Sequence, residues 1–252
     1  MKRQKRSIHT IVLIGLFAAI SYVALYFKIP IPSPVGKPFI HMGNIFVILA
    51  ALLFNGYIGG IAGSIGMGLY DLLNGYGIST IKTIILKFGI GVITGSVASK
   101  KNKRPLQSPV KWLILSAIAF MAIGITLFVL TRVKGYQIAM SGKEFVIHPV
   151  LYILSFILGI VLGLIGYLSK RFPIELQWVI TGATAGIAFN LIGEFVFKVC
   201  LLLIAGSQFY PAVLAAVASL PATLINGTFS IIIAVALYVP LSKTLSTIKR
   251  NV

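Results

Sequence analysis

Acidic residues are almost missing from this chain: its 252 residues include 4 Asp and Glu against 22 Lys and Arg. Charged residues of both signs make up 10%, where soluble domains carry about 25%. So little polar surface cannot clothe a globule of this length, which excludes a soluble enzyme. An apolar share of 58% likewise excludes a disordered chain. Cysteine is just as scarce. Cys200 stands alone inside an apolar run, so there is no intrachain disulfide, and CxxC and Cys/His metal patterns are absent. The 3 histidines are too scattered to suggest a metal site. There is no Walker A loop, no HExxH pair and no nucleophile elbow. Gly66-x-Gly68 has no strand–turn–helix around it and is not a dinucleotide fingerprint. No catalytic residue, metal or cofactor is expected.

What the sequence does contain is long apolar runs. Residues 8–28, 40–55, 57–73, 80–98, 112–131, 147–169, 177–204 and 209–241 read as helices, most of them at or near the roughly 17–25 residues that cross a bilayer. The expected fold is an all-α integral membrane protein, a single transmembrane bundle of about eight helices with no barrel-like alternation. The first helix is expected to be retained, because no small-residue cleavage site precedes Ile29-Pro30-Ile31-Pro32. Pro30, Pro32, Pro34 and Pro38 predict a stiff, non-helical loop over 29–39. Asn55-Gly56 predicts a turn, and the glycines from Gly56 to Gly68 predict closely approaching helices. A polar loop with Arg132, Lys134, Lys143 and Glu144 is expected between the fifth and sixth helices.

The net charge of +18 is distributed as loops, not as a nucleic-acid surface. Lys2, Arg3, Lys5 and Arg6 open the chain; Lys100, Lys101, Lys103, Arg104 and Lys111 cluster midway; Lys170 and Arg171 follow, then Lys243, Lys249 and Arg250. With both termini on one side, that side carries 14 of the 22 Lys and Arg and the other carries 5. The positive-inside rule therefore predicts a multi-pass protein of the cell membrane with both termini and residues 99–111 in the cytoplasm.

Ionisable groups at membrane depth are functional candidates by default. Glu194 and Lys198, spaced i, i+4 in the favourable order, read either as a structural ion pair or as part of a site. Lys87 lies deep in its helix, whereas Lys82 is near enough to the helix start to snorkel. Asp71 reads as a local cap or a partner for a lysine. Asn190 and Asn226 are buried amides that either bond between helices or line a common cavity. His41 and Asn44 join the proline-rich loop to the second helix, and Tyr22, Tyr26 and Tyr210 read as interface-belt residues. Gly15 and Ala19, with Ala18, give the first helix a small-residue face for an internal or intersubunit contact. A polar small molecule would need convergent hydrogen-bonding groups in an apolar pocket. The candidate substrate-binding set is His41, Asn44, Lys87, Asn190, Glu194 and Asn226.

Several stretches, taken together, resemble one family. These are Ile29-Pro30-Ile31-Pro32 after the first helix, Pro38-Phe39-Ile40-His41-Met42-Gly43-Asn44, Gly63-x-x-Gly66-Met67-Gly68-x-x-Asp71, Lys87-Phe88-Gly89-Ile90-Gly91 and Ala218-Ser219-Leu220-Pro221-Ala222-x-x-Ile225-Asn226-Gly227. They are similar to the substrate-binding S-component of energy-coupling-factor (ECF) vitamin transporters. The resemblance covers residues 8–98 and 176–245 and implies a six-helix core around a pocket open to the outside. It also implies a water-soluble, vitamin-like substrate and a partner module of one transmembrane coupling subunit and two ATPases. Gly15 and Ala19 map onto the coupling-subunit contacts of that family. Residues 99–175 depart from it as an inserted segment with two extra spans. The competing classes are a self-sufficient secondary transporter, for which inverted repeats and matching broken helices are not found, and a membrane scaffold or sensor, for which no soluble domain is seen. An intramembrane enzyme lacks any catalytic set.

Overall fold

The computed structural model describes residues 2–30, 39–104, 106–135, 137–140, 143–146 and 148–250. Eight helices follow one another: α1 (Lys2–Ala24), α2 (Gly43–Leu53), α3 (Gly56–Leu73), α4 (Ser79–Ala98), α5 (Val110–Lys134), α6 (Pro149–Ser169), α7 (Ile174–Ile204) and α8 (Phe209–Arg250). All eight expected helices are present. Five, α4 to α8, are long and apolar enough by themselves to cross a membrane. α8 continues well past residue 241 despite Pro221 and Pro240 in its interior. The turn at Asn55 works as a cap, its side chain accepting from Ile58 N–H at 2.9 Å.

Two hairpins were not legible as strands. The ends of the proline-rich loop pair as β1 (Lys28–Pro30) and β2 (Phe39–His41), antiparallel, with Lys28 opposite His41. Residues 31–38, the rest of that predicted stiff loop, lie outside the described residues. In place of the polar loop expected after residue 131, α5 continues through Arg132, and β3 (Gln137–Met140) pairs with β4 (Lys143–Val146). Strands of three or four residues are too short to show an alternation.

Helix directions alternate, giving the bundle two chemically distinct ends. Lys101 donates to the Tyr238 hydroxyl at 2.7 Å, and Ser108 to Gln177 Oε1 at 2.6 Å. The segments around residues 100–108, 173–177 and 238–243 therefore meet at one end, here the basic end. The opposite end carries the two hairpins.

Small residues set the spacing of the core. Gly56 and Gly60 on α3 face Gly91 and Gly95 on α4 so closely that a Cβ on Gly91 would collide with the backbone of Gly60. Gly66 likewise lies against the backbone of Ala18, which holds α1 to α3. In lipid, where burial gives no hydrophobic drive, such approaches let dispersion and backbone contacts hold helices together. α4 also packs on α7, α7 on α8, and α2 is wedged among α3, α4 and α8. α5 and α6 pack chiefly on each other and touch the rest through an apolar cluster of Leu154 with Val217 and Leu220, joined by the half-buried Leu191 and Phe195 of α7.

Candidate functional site

α2 has 11 residues, and at about 1.5 Å per residue it covers roughly half of a hydrocarbon layer about 30 Å thick. It stops short at the hairpin end. A Cβ on Gly43, its first residue, would lie 3.1 Å from the Met67 side chain, so α2 begins level with Met67 and below the end of α3. β2 enters the space above it: the backbone N–H of His41 reaches Asn226 Oδ1 on α8 at 3.5 Å. The hairpin thus completes the path of a shortened helix, and polar groups collect where it does so.

Below this point lies an apolar floor. Ile48, Ile90, Ile187 and Ile231, from α2, α4, α7 and α8, belong to one buried cluster. About one turn nearer the hairpin end, each of those helices carries a polar residue. Asn44 is 2% exposed, Lys87 5%, Asn190 3% and Asn226 7%. The spacing follows from the sequence: Asn44 and Ile48 are i, i+4, Lys87 and Ile90 are i, i+3, and Ile187 and Asn190 are i, i+3. Cross-helix contacts tie the ring together. The Lys87 ammonium donates to Asn190 Oδ1 at 3.0 Å. A Cβ on Gly63 would touch both Val47 and the Lys87 side chain, which brings the face of α2 that carries Asn44 next to Lys87. Asn44 Oδ1 is buried and has no hydrogen-bond partner among the described residues. Burial and the nearby Lys87 charge push the imidazole of His41 down to about 3, so it is neutral.

Further toward the hairpin end, the charges pair differently from the sequence reading. Glu194 does not pair with Lys198 on its own helix; Oε2 accepts from Lys82 on α4 at 2.7 Å. Lys82, expected to snorkel, reaches across to α7 because the two helices pack face to face. The i, i+4 rule compares neighbours on one surface and is blind to a facing helix. This pair lies one to two turns beyond Lys87–Asn190 and is partly exposed, making it a rim and not part of the buried ring. Asp71 accepts from the Thr83 hydroxyl of α4, in place of the cap or lysine partner expected for it.

Tyr22 and Tyr26, expected as interface-belt residues, join a cluster at the hairpin end of α1. Their rings meet the buried Tyr70 at 6.0 and 5.2 Å, and their hydroxyls are 2.9 Å apart. Sequence reasoning missed Tyr70, which is 1% exposed. Its signal was available: an aromatic near the end of the Gly-rich α3, on the face opposite the exposed Leu69 and Leu72.

On α1, Ala18 is buried against Gly66, while Gly15 and Ala19 are exposed, and a Cβ on Gly15 would meet nothing within 4 Å. The small-residue pair therefore points away from the chain's own helices.

Comparison with known proteins gives three similarities. The family described as "ECF-type riboflavin transporter, S component" matches residues 5–151 and 144–243. An uncharacterised protein from the gap 3′ region of Pyrococcus woesei is 30% identical over 112 residues, covering 44% of this chain and 74% of that relative. Among solved structures, ThiT from Listeria monocytogenes aligns at 14% identity with a TM-score of 0.47, over 91% of this chain and 94% of that one. With the family match running through nearly the whole sequence, the chain belongs to the ECF-type riboflavin transporter S components, a family of membrane transport subunits and not of enzymes.

Proposed function

We propose that this protein is the membrane-embedded substrate-binding subunit of an ATP-driven ECF importer, and that it binds riboflavin or a closely related water-soluble vitamin. The observation that carries this is the set of Asn44, Lys87, Asn190 and Asn226: four buried polar side chains from four helices, each on the hairpin side of an apolar cluster. Burying polar groups in lipid is costly unless something uses them. His41 closes the ring from the hairpin, and the Lys82–Glu194 pair forms its rim. In this reading the basic end faces the cytoplasm together with both termini, the hairpin end faces outward, and α5–α6 is an accessory hairpin outside the pocket. The coupling subunit docks on α1 at Gly15 and Ala19, and two ATPases supply the energy in trans.

The test is direct. Purified chain should quench riboflavin fluorescence at saturable stoichiometry, and mass spectrometry of ligand extracted from it should recover a flavin. A folded chain that binds no flavin and yields another vitamin would move the substrate within the class; one that binds no vitamin would end the reading. Affinity purification from cells should also bring down a coupling protein and two ATPases. Gly15→Leu should lower transport and complex recovery while flavin binding by the isolated chain persists, because a larger side chain holds the packed backbones apart. In a Cys200→Ala background, Asn102→Cys should stay unlabelled by an impermeant thiol reagent applied to intact cells.

A further inference from the structure

The α5–α6 pair carries a feature that substrate binding leaves unused, a long apolar groove of about 590 Å³ along its seam. Small residues form the floor: a Cβ on Gly159 would press on Met121 and on the Ala117 carbonyl. Ile114, Ile118 and Ile125 of α5 and Ile160 of α6 form the walls. From Ile114 to Ile125 the groove runs about 16 Å along the helix axis. One leaflet of hydrocarbon is roughly 15 Å deep. The mouth lies at the basic end, where Tyr167 and Lys170 line it. The Arg171 guanidinium lies over the Tyr167 ring at 5.5 Å. Ile114 and Ile118 follow Lys111 at i+3 and i+7, so Lys111 tops the same wall, its ammonium 5.6 Å from the Trp112 ring. These cations have no carboxylate to answer them. Asp71, Glu144 and Glu194 belong to the hairpin end, and Glu194 is held by Lys82. Glu175, the remaining acid, lines a separate cleft with Lys243. Among the described residues, none forms an ion pair with Lys111, Lys170 or Arg171.

An occupant must therefore bring a hydrocarbon chain for the groove and a negative charge for its mouth. A second copy of this chain fails the second condition. Packed groove to groove about an axis normal to the membrane, two copies would set the same cations against each other. We propose that the groove between α5 and α6 seats one chain of an anionic phospholipid, with its phosphate held among Lys111, Lys170 and Arg171. In the orientation given above, this is a lipid of the cytoplasmic leaflet, the one that carries the anionic headgroups. Trp112 and Tyr167 suit that depth, because Trp and Tyr gather at the membrane–water interface. The site gives the inserted segment a role as a lipid anchor. It is independent of the substrate, so the flavin reading can fail without it.

The experiment titrates the purified full-length chain, in neutral detergent, with phosphatidylglycerol or with phosphatidylcholine of identical chains. Native mass spectrometry counts the lipid retained. Phosphatidylglycerol should bind about tenfold or more tightly than phosphatidylcholine, since each basic residue contributes about fivefold beside anionic headgroups. Lys111→Gln, Lys170→Gln and Arg171→Gln together should bring the two lipids to within about twofold of each other. Ala122→Phe keeps the charges but fills the groove from an exposed position, and should also lose the retained lipid. All four substitutions fall on exposed residues, so both variants should remain monodisperse on gel filtration. Equal retention of the two lipids by the wild type overturns the proposal, whether or not either variant folds. A phosphatidylglycerol preference that survives in folded Ala122→Phe also overturns it, because the charge would then act without a seated chain. A wild-type chain that elutes as a dimer and retains no lipid would give the groove to a second copy instead.

Discussion

The buried polar groups of the α5–α6 hairpin are satisfied within their own helices, whereas only some of those in the helices around α2 are. In the hairpin, Thr131, Ser155 and Ser169 each return their hydroxyl to a carbonyl of their own helix, at Phe128, Leu151 and Ile165. Such groups satisfy themselves locally and ask nothing of a neighbour. Around α2 some buried hydroxyls also close on their own helix, as Thr181, Thr184 and Ser230 do, but others reach between elements, Lys87 to Asn190 and His41 N–H to Asn226, or have no described partner, as with Asn44, Thr80 and Thr94. Both regions are equally membranous, so the solvent does not explain the contrast. A helix pair that only needs to pack in lipid can be built from Leu, Ile, Gly and self-bonded hydroxyls; a region that exchanges a ligand must keep costly groups available.

The comparison breaks most visibly at Lys87. If the core's polar groups serve a ligand, Lys87→Met should lower flavin affinity about ten- to a hundredfold, the loss expected for a hydrogen bond to a charged group. The apparent melting temperature without ligand should not fall, because methionine fills the space of the stem and removes a buried cation. Loss of stability with affinity preserved would make Lys87 as structural as the hairpin serines.

Glu194→Gln gives a smaller effect. Its partner Lys82 and Glu194 itself are 21% and 24% exposed, so the pair is partly screened, and a loss of about 1 kcal/mol or less is expected. Affinity should therefore drop by less than about fivefold. A loss as large as that of Lys87→Met would move Glu194 from the rim into the ring.

Removing the hairpin sharpens the contrast from the other side. Replacing residues 106–174 with a short linker should leave flavin affinity within about twofold, because the segment meets the core through an apolar cluster, Leu154 with Val217 and Leu220 and the half-buried Leu191, Phe195 and Val213, and the Ser108–Gln177 hydrogen bond at the basic end, and lipid chains can cover the apolar part at little cost. Selective loss of binding in a folded deletion would show that α5–α6 helps to build the pocket.

The parts of this architecture that were legible are those with a period or a break. All eight helices were visible because apolar runs end at signals such as Asn55-Gly56 and the prolines after α1. The residues of the ring were visible as individuals, since a polar side chain in an apolar run stands out at once. Their partners were not. Lys87 and Asn190 are 103 positions apart and Lys82 and Glu194 112 apart, and no local rule links them; the one local rule available selected Lys198. That α2 would stop short, leaving room for β2, was also hidden, because the apolar pattern begins at residue 40, before the helix does. The contacts of Tyr22 and Tyr26 with Tyr70 were hidden for a related reason: an aromatic near a helix end looks the same whether or not another tyrosine packs on it.

The smallest expected effect is at His41, where a physiological titration should be missing. Histidines ordinarily change charge near pH 6.5, and a ring histidine that did so would impose a step on affinity there. In the folded chain, burial first and the Lys87 charge second hold His41 down to about 3, so it stays neutral throughout that range. Flavin affinity should accordingly show no step between about pH 5 and 7. Stability responds instead. Below about pH 6.5 the unfolded chain takes up a proton that the folded chain refuses until about pH 3, so acid favours unfolding across that window and not above it. His41→Gln should remove this part of the acid slope in melting experiments while leaving the neutral-pH melting point close to wild type. An affinity step centred near pH 6.5 in the wild type, absent from His41→Gln, would mean that the imidazole is reached by water, and that β2 does not seal the ring.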